Sequence, residues 1–554
     1  MNKKRMALTT AVVVIAGVGF TGCLGGDSSS DSGSSGDEGT PVEGGTLRAG
    51  ISDNPDHLDP ALSYTSEGWE ILEATNNGLL SFKKEAGSAG NEIVPDIAED
   101  LPKVTDGGKT YTFKVRDGVM FSDPVDREVK PSDFKFTIER LFRVNSGGLS
   151  FYTGIEGAEE YAKTREGDIS GIVADDKKGT ITFHLTQPDG TFPEYMAVPF
   201  AYVLPAGTPD KDISTDDSAR VATGPYLIKS YTPKQSIEIV RNPAFKEWTE
   251  DSPDGYLDGI DITIGVDPDA AVNQTVQGDL DWYFTTVPPA RLTELKARYP
   301  DQVYDNTRNN VTYFFMNERK PPFDDLKVRQ AVNYATDREA MVKLFGGQGE
   351  PTENIVPPGL APAYQKHDFY PYDPQKAKDL VDESGTAGMK VEVWTRNQEP
   401  FPKVTQYMAS VLNDLGYDAS VKLVDQSIYD DTISNQKTDP QIGVNDWTQD
   451  YPEAGNFIDT LLNGNNIVQI GNNNQANADV PELNAAIEKT NLMPLGKARD
   501  LQWAQLDADF MKKNAPWVPF LNATFPQFAS PQVNGVVFNP TYYAMFPSMW
   551  LSQD

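Results

Sequence analysis

The sequence predicts an α/β fold with more than one domain. In the first half, residues 109–116 and 180–186 alternate apolar and polar side chains, as half-buried strands do. In the second half, strand and helix patterns alternate between residues 389 and 447, which is typical of βαβ units with parallel strands. The chain has 554 residues, 38% of them hydrophobic, enough for about two to four domains with cores of their own.

Strands dominate the predicted elements of the first half. The first strand is predicted at residues 46–51, and a later one at 235–242. Between the two alternating strands, Pro131 and Ser132 begin a predicted helix. The apolar face of that helix follows helical spacing and consists of Phe134, Ile138, Leu141 and Phe142.

The second half carries clear helix caps. A helix is predicted at residues 327–335, and Asp337 caps the next one, which ends near Gly346. Asp373 and Pro374 form the start of a third helix, which Gly385 ends. Further along, we predict strands at 389–395, 419–425 and 441–447, and a helix at 401–415 whose inward residues are Val404, Met408, Val411 and Leu415 and which Gly416 ends.

The N-terminus has the pattern of a secretory signal. Lys3, Lys4 and Arg5 precede an apolar stretch at residues 6–20, which is shorter than the roughly 20 residues of a membrane span. The following Phe20-Thr21-Gly22-Cys23 resembles a bacterial lipobox, although Phe20 stands where such motifs usually have Leu. We therefore expect a signal peptide at 1–22 and lipidation of Cys23; the alternative is an ordinary signal peptide with an incidental cysteine.

A flexible tether is predicted between Cys23 and the body of the protein. Residues 24–44 are mostly Gly, Ser and Asp, which cannot bury enough apolar surface to offset the entropy of ordering. Together with the lipid anchor, this predicts an extracytoplasmic protein held at the outer face of the cell membrane.

The composition and the motifs of the chain argue against several other classes of protein, such as nucleic-acid-binding proteins, metalloproteins and enzymes. The formal net charge of −33 repels phosphate backbones, so we expect no nucleic-acid partner. Cys23 is the only cysteine, so no internal disulfide can form. The three histidines, His57, His184 and His367, lack metal-ligand spacing, and no phosphate-binding or nucleophile motif is present. We expect no metal, no cofactor and no catalytic residue.

Seven groups of residues resemble, in order, the oligopeptide- and dipeptide-binding proteins of ABC importers, the family 5 solute-binding proteins. The resemblance runs from about Gly44 to the C-terminus. The groups comprise Gly44-Gly45-Thr46-Leu47-Arg48, Leu58-Asp59-Pro60 and Asn77-Gly78-Leu79-Leu80; Val94-Pro95-Asp96-Ile97-Ala98-Glu99; Tyr111-Thr112-Phe113-Lys114-Val115-Arg116-Asp117-Gly118-Val119; Thr223-Gly224-Pro225-Tyr226; Arg241-Asn242-Pro243; Pro321-Pro322-Phe323-Asp324-Asp325 with Val328-Arg329-Gln330-Ala331; and Trp447-Thr448-Gln449-Asp450-Tyr451.

The resemblance implies a periplasmic-binding-protein-like fold (class II, cluster C). It has two lobes with mixed sheets around a cleft, plus an extra domain. Carried onto this sequence, lobe I takes residues 45–73, 195–292 and 515–554, the extra domain 74–194, and lobe II 293–514, after a lipidated tether at 23–44. We expect a monomer that binds a short peptide and delivers it to ABC permease subunits.

The resemblance also implies site residues. In the family an aspartate holds the peptide's α-amino group, and it corresponds to Asp450 within the Trp447 to Tyr451 motif. A buried ammonium needs a carboxylate partner because an isolated charge in a dry cleft is costly. Independently, Asp450 follows a predicted strand end, where open α/β sheets place ligands. By position, the backbone of Tyr64, Thr65 and Ser66 would pair with the peptide as a strand does.

Other interpretations stay open at this stage. We also expect Trp447 and Tyr451 to line the cleft and contact ligand. The alternatives are that Asp450 caps a loop and that Trp447 and Tyr451 are core aromatics. Many relatives have Asp-Tyr-Pro-Asp-Pro in this loop, whereas this chain has Asp450-Tyr451-Pro452-Glu453-Ala454, which alters the loop. Family members also bind non-peptide solutes such as oligosaccharides, and the fold does not fix the solute. A secreted hydrolase and a peptide-sensing lipoprotein are the alternatives from other classes.

Overall fold

The computed structural model describes residues 40–552. The predicted signal peptide, Cys23 and most of the tether lie outside the described residues. The described part forms 22 strands. They are β1 (Thr46–Ile51), β2 (Leu80–Phe82), β3 (Ile93–Pro95), β4 (Lys103–Thr105), β5 (Thr110–Lys114), β6 (Ile172–Asp175), β7 (Thr180–His184), β8 (Tyr226–Thr232), β9 (Ser236–Arg241), β10 (Gly259–Ile264), β11 (Trp282–Tyr283), β12 (Val303–Thr307), β13 (Asn310–Met316), β14 (Gly349–Pro351), β15 (Lys390–Arg396), β16 (Asp418–Val424), β17 (Ile442–Thr448), β18 (Trp517–Ala529), β19 (Val533–Asn534), β20 (Phe538–Asn539), β21 (Tyr543–Ala544) and β22 (Trp550–Leu551).

The same residues form 14 α-helices, several of which begin and end at the predicted caps. Asp337 and Asp373 each accept a hydrogen bond from a first-turn backbone N–H, and Gly385 ends its helix with positive φ. The helices are α1 (Ser66–Thr75), α2 (Pro131–Arg143), α3 (Ala158–Thr164), α4 (Phe192–Tyr195), α5 (Pro268–Gln277), α6 (Pro289–Arg298), α7 (Leu326–Ala335), α8 (Arg338–Leu344), α9 (Pro374–Ser384), α10 (Phe401–Asp414), α11 (Gln426–Ile433), α12 (Gly455–Leu462), α13 (Pro481–Asn491) and α14 (Lys497–Asp509).

A mixed sheet of 12 strands runs through the molecule, with the path β16-β15-β17-β13-β18-β11-β1-β10-β9-β8; β12 and β14 also pair with β18. The pairs β15/β16 and β15/β17 are parallel, as the βαβ pattern predicted for the second half. The pair β1/β10 of the first half is also parallel, which was not predicted. The remaining pairs on the path include antiparallel ones such as β13/β17. The α/β class is confirmed.

Strand β18 joins the two halves of this sheet. Residues 517–521 pair with β13, and residues 524–528 pair with β12. The strand has 13 residues and is buried along most of its length, and all seven residues of β13 are buried. Because both faces are covered, these strands are mostly apolar and do not alternate between apolar and polar residues.

A separate antiparallel sheet, β4-β5-β7-β6, lies within residues 103–184. Tyr111 and Phe113 of β5 and Phe183 of β7 face its core, as their alternation predicted. Helix α2 covers this core with Phe134, Ile138, Leu141 and Phe142, all buried. The sheet falls inside the predicted extra domain, although the domain boundaries themselves stay predictions. Among the described residues, no helix is long and apolar enough to cross a bilayer.

Candidate ligand-binding cleft

A cavity of about 860 Å3 contains all six residues predicted to contact ligand. Tyr64, Thr65 and Ser66 lie before and at the start of α1, whereas Trp447, Asp450 and Tyr451 lie at the end of β17 and just after it. The two groups are almost 400 residues apart in sequence, and the fold brings them to opposite walls of one cleft. Their role in binding stays a prediction.

Asp450 is the central acidic group of this cleft. It follows the carboxyl end of β17 by two residues and is only 7% exposed. Its Oδ1 accepts a hydrogen bond of 2.9 Å from the Tyr64 hydroxyl, and its Oδ2 accepts one of 3.0 Å from the amide of Asn456. The carboxylate is therefore held by two neutral donors.

Asn456, at the start of α12, fixes this carboxylate in place. Its side-chain oxygen accepts hydrogen bonds from the backbone N–H of Asp450 and from Nε1 of Trp447, each 3.0 Å long. Since the oxygen is occupied by two donors, the amide nitrogen must point at Asp450 Oδ2. The side chain of Asn456 thus hydrogen-bonds to the backbone of Asp450, to the indole of Trp447 and to the carboxylate of Asp450.

Burial dominates the electrostatics of Asp450. It raises the pKa of the carboxyl to about 6, against the lowering effect of the hydrogen bonds from Asn456 and Tyr64. Among the described residues, Asp450 forms no ion pair with Lys, Arg or His. A buried carboxylate without a cation is costly, and a positively charged ligand group would relieve that cost.

Tyr64 closes the cleft from the opposite wall. Its ring is 45% exposed, while its hydroxyl end is covered where it meets Asp450. Burial, and then the charge of Asp450, raise the pKa of Tyr64 well above its ordinary value, so the hydroxyl stays a donor. The ring packs edge-on against Phe200 at 5.3 Å.

The side chains of Thr65 and Ser66 have structural partners. Thr65 caps α1, accepting from the backbone N–H of Gly68, and donates to Asp56 at 2.8 Å. Ser66 accepts a hydrogen bond of 3.0 Å from Arg308, whose guanidinium lies 3.9 Å from the centre of the Tyr543 ring. Their side chains thus have structural partners, and pairing of their backbone with a peptide stays a prediction.

The two aromatics of the motif differ in their surroundings. Trp447 is half-buried and lies on the cleft wall. Tyr451 lines the cleft as well, but it is only 6% exposed and packs against Phe151 and Tyr195 at 5.8 and 5.2 Å between ring centres. Tyr451 therefore lines the cleft and also packs into the hydrophobic core that covers the β4-β5-β7-β6 sheet.

Glu453, the acidic residue of the altered loop, has a partner of its own. Its carboxylate pairs with Arg499 at 2.8 Å and accepts from the indole of Trp503, and all three are buried. Arg499 also donates to Thr191 at 2.6 Å, which ties α14 to the segment before α4. The loop that follows β17 is thus anchored at Glu453, two residues after Tyr451.

Several cleft residues were not predicted from the sequence. The most informative is Tyr543, and Asn456, which lies behind the lining and orients Asp450, was not predicted either. Tyr543 is a buried non-glycine residue with φ of +64°, an uncommon backbone conformation that is often found at functional sites. Neither position lies in a motif: Tyr543 reaches the cleft only through the tertiary fold, and Asn456 meets Asp450 from six residues further along the chain.

The charge of the cleft lining is one-sided. It includes Asp450 and Asp459, and none of its residues is Lys, Arg or His. In the part of the chain that the structure describes, no group of three or more His, Cys, Asp or Glu could hold a metal ion. The lining suits a ligand that carries positive charge and aromatic or polar surface.

A large cleft between two parts of one mixed sheet, with a buried charge and a wide aromatic lining, defines a class of protein that binds a small solute. The comparisons with known proteins agree. Residues 92–469 match the family described as bacterial extracellular solute-binding proteins, family 5 Middle. This chain belongs to that family, which consists of extracytoplasmic binding proteins rather than enzymes.

Three relatives show how widely the family's solutes vary. The chain is 28% identical over 527 residues to "Heme-binding protein A" of Haemophilus influenzae, covering 90% of each. It is 26% identical over 451 residues to the "Dipeptide-binding protein" of Escherichia coli, covering 76% of this chain and 79% of the relative. The solved "Clavulanic acid biosynthesis oligopeptide binding protein 2" has a TM-score of 0.86 at 26% identity, covering 93% of this chain and 97% of that chain.

Proposed function

We propose that this protein binds short peptides with a free amino terminus in the cleft and delivers them to an ABC permease. The observation that carries the proposal is Asp450, a buried carboxylate that faces a cavity of about 860 Å3 without a basic partner in the described chain. An α-ammonium group would form a charge-assisted hydrogen bond with it and remove the cost of the lone charge.

The lining supports a ligand with little net negative charge. Because no basic side chain lines the cleft, a solute with several carboxylates would leave them unpaired after desolvation. The N–H of Tyr64 donates to Asp56, and the C=O of Thr65 accepts from Trp69. An extended peptide would therefore pair with the other main-chain groups of Tyr64, Thr65 and Ser66. Pairing with main-chain groups ignores side-chain identity. The cavity volume fits a ligand of a few residues.

Delivery follows from closure of the cleft. A ligand that contacts both walls binds only when they approach, and it shifts the population toward that state. We infer that the closed protein docks on the permease, while lipidated Cys23 and the tether keep it at the membrane. Loss of membrane association in a Cys23→Ala variant, with binding intact, would support the anchor; unchanged association would refute it.

A neutral polar solute such as an oligosaccharide is the second candidate. The observation in its favour is the polar part of the lining, where Thr460, Asn465, Asn466 and Asn473 contribute hydroxyl and amide groups. Such groups, together with the half-buried ring of Trp447, suit hydroxyl-rich ligands. This candidate predicts tight binding of a ligand that has no amine.

Calorimetry of the purified full chain separates the candidates. Mixed peptides of two to five residues are titrated in their free and N-acetylated forms. The proposal predicts binding of the free forms and a loss of at least about tenfold on acetylation. Equal binding of both forms would refute the ammonium anchor, and binding of sugars but no peptide would favour the second candidate.

A further inference from the structure

A second cavity of about 300 Å3 adjoins the cleft. We call it the side pocket. Tyr195, Tyr451, Asp459 and Asn466 line both cavities. The other walls of the side pocket come from α13, from the segment before α4, and from the loop that carries Glu453. A ligand in the cleft therefore lies next to this pocket.

The side pocket is strongly acidic. Asp189, Glu453, Asp459 and Glu488 line it, and none of its lining residues is Lys, Arg or His. Of these carboxylates, only Glu453 forms an ion pair in the described part of the chain, with Arg499. The charge of the pocket is thus far from balanced.

Neutral donors hold the unpaired carboxylates. Asp459 accepts from the side-chain amides of Asn463 and Asn491 at 2.7 and 2.8 Å, and Glu488 accepts from Asn463 at 3.1 Å. Burial raises the pKa of Asp459 and of Asp189. This is the arrangement found at Asp450, where amide and hydroxyl donors orient a carboxylate without neutralising it.

Glu194 is an independent sign that the region has excess negative charge. The residue is 4% exposed, and its Oε2 has no hydrogen-bond partner among the described residues. It stands next to Tyr195 of the pocket wall, and burial and then the charge of Glu453 raise its pKa well above the ordinary value. Glu194 does not line the side pocket. Besides burial, its raised pKa reports the negative field of Glu453 and Asp500 next to the pocket, which the nearby charge of Arg499 offsets only in part.

We propose that the side pocket accommodates a positively charged side chain of the ligand, so that the protein prefers peptides that contain Lys or Arg. The inference rests on the proposed peptide function and names its substrate class. A guanidinium or ammonium group has five or three donors, enough to bridge several of these carboxylates. The cationic group of the ligand would offset the negative charge of the pocket, whose lining contains no basic side chain.

The preference is measurable with tetrapeptides of alanine that carry one substitution. Lys, Arg, Gln or norleucine is placed at each position in turn, and binding to the full chain is measured by calorimetry. We expect Lys and Arg to bind about tenfold more tightly than Gln and norleucine at one position, and the ratio to shrink as salt is raised.

Paired variants connect the preference to the pocket. Glu488→Gln, combined with Asp189→Asn, is expected to abolish most of the preference while binding of the all-alanine peptide persists. Glu482→Gln, an exposed change on the same helix, is the matched control and should leave the preference intact.

The outcomes are distinguishable. Binding of free peptides with no preference for Lys or Arg at any position overturns this inference alone. A preference that survives the paired substitutions also overturns it, since the selectivity would then arise elsewhere. If no free peptide binds, the proposed function falls and this inference with it.

Discussion

The hydroxyl of Tyr64 and the carboxylate of Asp450 are joined by a hydrogen bond of 2.9 Å across the cleft. The two residues are 386 positions apart and belong to opposite walls. This bond supplies the acidic group with a donor and connects the two walls. A ligand ammonium would therefore take over a position that the protein itself occupies.

Removal of that hydroxyl should loosen the closed state. A hydrogen bond to a charged group contributes about 1.5–3 kcal/mol, so Tyr64→Phe should shift the unliganded protein toward open forms by about tenfold or more. Small-angle scattering of the unliganded variant should show a larger radius of gyration. Tyr372→Phe, at an exposed tyrosine, is the control and should not change the profile; the same profile for both variants would contradict the account.

Peptide affinity should depend on pH through Asp450. Its pKa is raised to about 6 by burial, so the carboxylate that pairs with an ammonium is present above pH 6 and is lost as pH falls through that value. The association constant for a free peptide should fall about fivefold between pH 6 and pH 5, more steeply below pH 5, and stay level above pH 7. Constant affinity from pH 5 to 8 would show that Asp450 is not the anchor.

The same carboxylate should reduce stability at neutral pH. A pKa raised above the unfolded value of 3.8 means that ionised Asp450 costs folding free energy, a cost absent below pH 4 and complete above about pH 6. Asp450→Asn should therefore stabilise the unliganded protein by about 1–2 kcal/mol at pH 7. The gain is less than the full cost because the new amide meets that of Asn456.

Chemical unfolding of the wild type and the Asp450→Asn variant at pH 7 and pH 4 tests this predicted gain in the free energy of unfolding. The gain should vanish at pH 4, where the wild-type carboxyl is protonated. Asp431→Asn, at an exposed position of α11, controls for the change in net charge. A gain that is equal at both pH values would have a cause other than ionisation.

The buried ion pair of Glu453 and Arg499, in the loop after β17 and in α14, should contribute to the stability of the protein. Arg499→Met leaves a buried, unpaired carboxylate and should destabilise the protein by about 3–5 kcal/mol. The double variant with Glu453→Gln should recover part of that loss. Lys403→Met breaks an exposed pair with Glu399 and should cost less than about 1 kcal/mol. Equal effects of both single changes would contradict the role of burial.

Much of the fold could be predicted because local rules and tertiary packing agree. The alternation in β5 and β7 and the caps Asp337, Asp373 and Gly385 each specify an element from its own residues. Strand β18 could not be delimited in this way. Its 13 residues are mostly apolar and buried on both faces, so no alternation marks its bounds, and its role as the link between two halves of the sheet is purely tertiary.

The site shows the same division. Asp450 could be singled out from the sequence because it follows the end of a predicted strand and lies in a motif. Asn456, which orients it, comes from the next helix, and an asparagine carries no signal of the carboxylate it will meet. The side pocket is assembled from four separate segments, and its acids are indistinguishable in sequence from the many solvated acids of a chain with net charge −33.

The most direct test of the central claim is a double-mutant cycle between Asp450 and the amino group of the ligand. Calorimetry compares the full chain and its Asp450→Asn variant, each with one peptide in its free and N-acetylated forms. The account predicts that acetylation weakens binding to the wild type by at least about tenfold but changes binding to the variant by less than about twofold. If acetylation weakens binding equally in both, the ammonium is held elsewhere and Asp450 is not its partner.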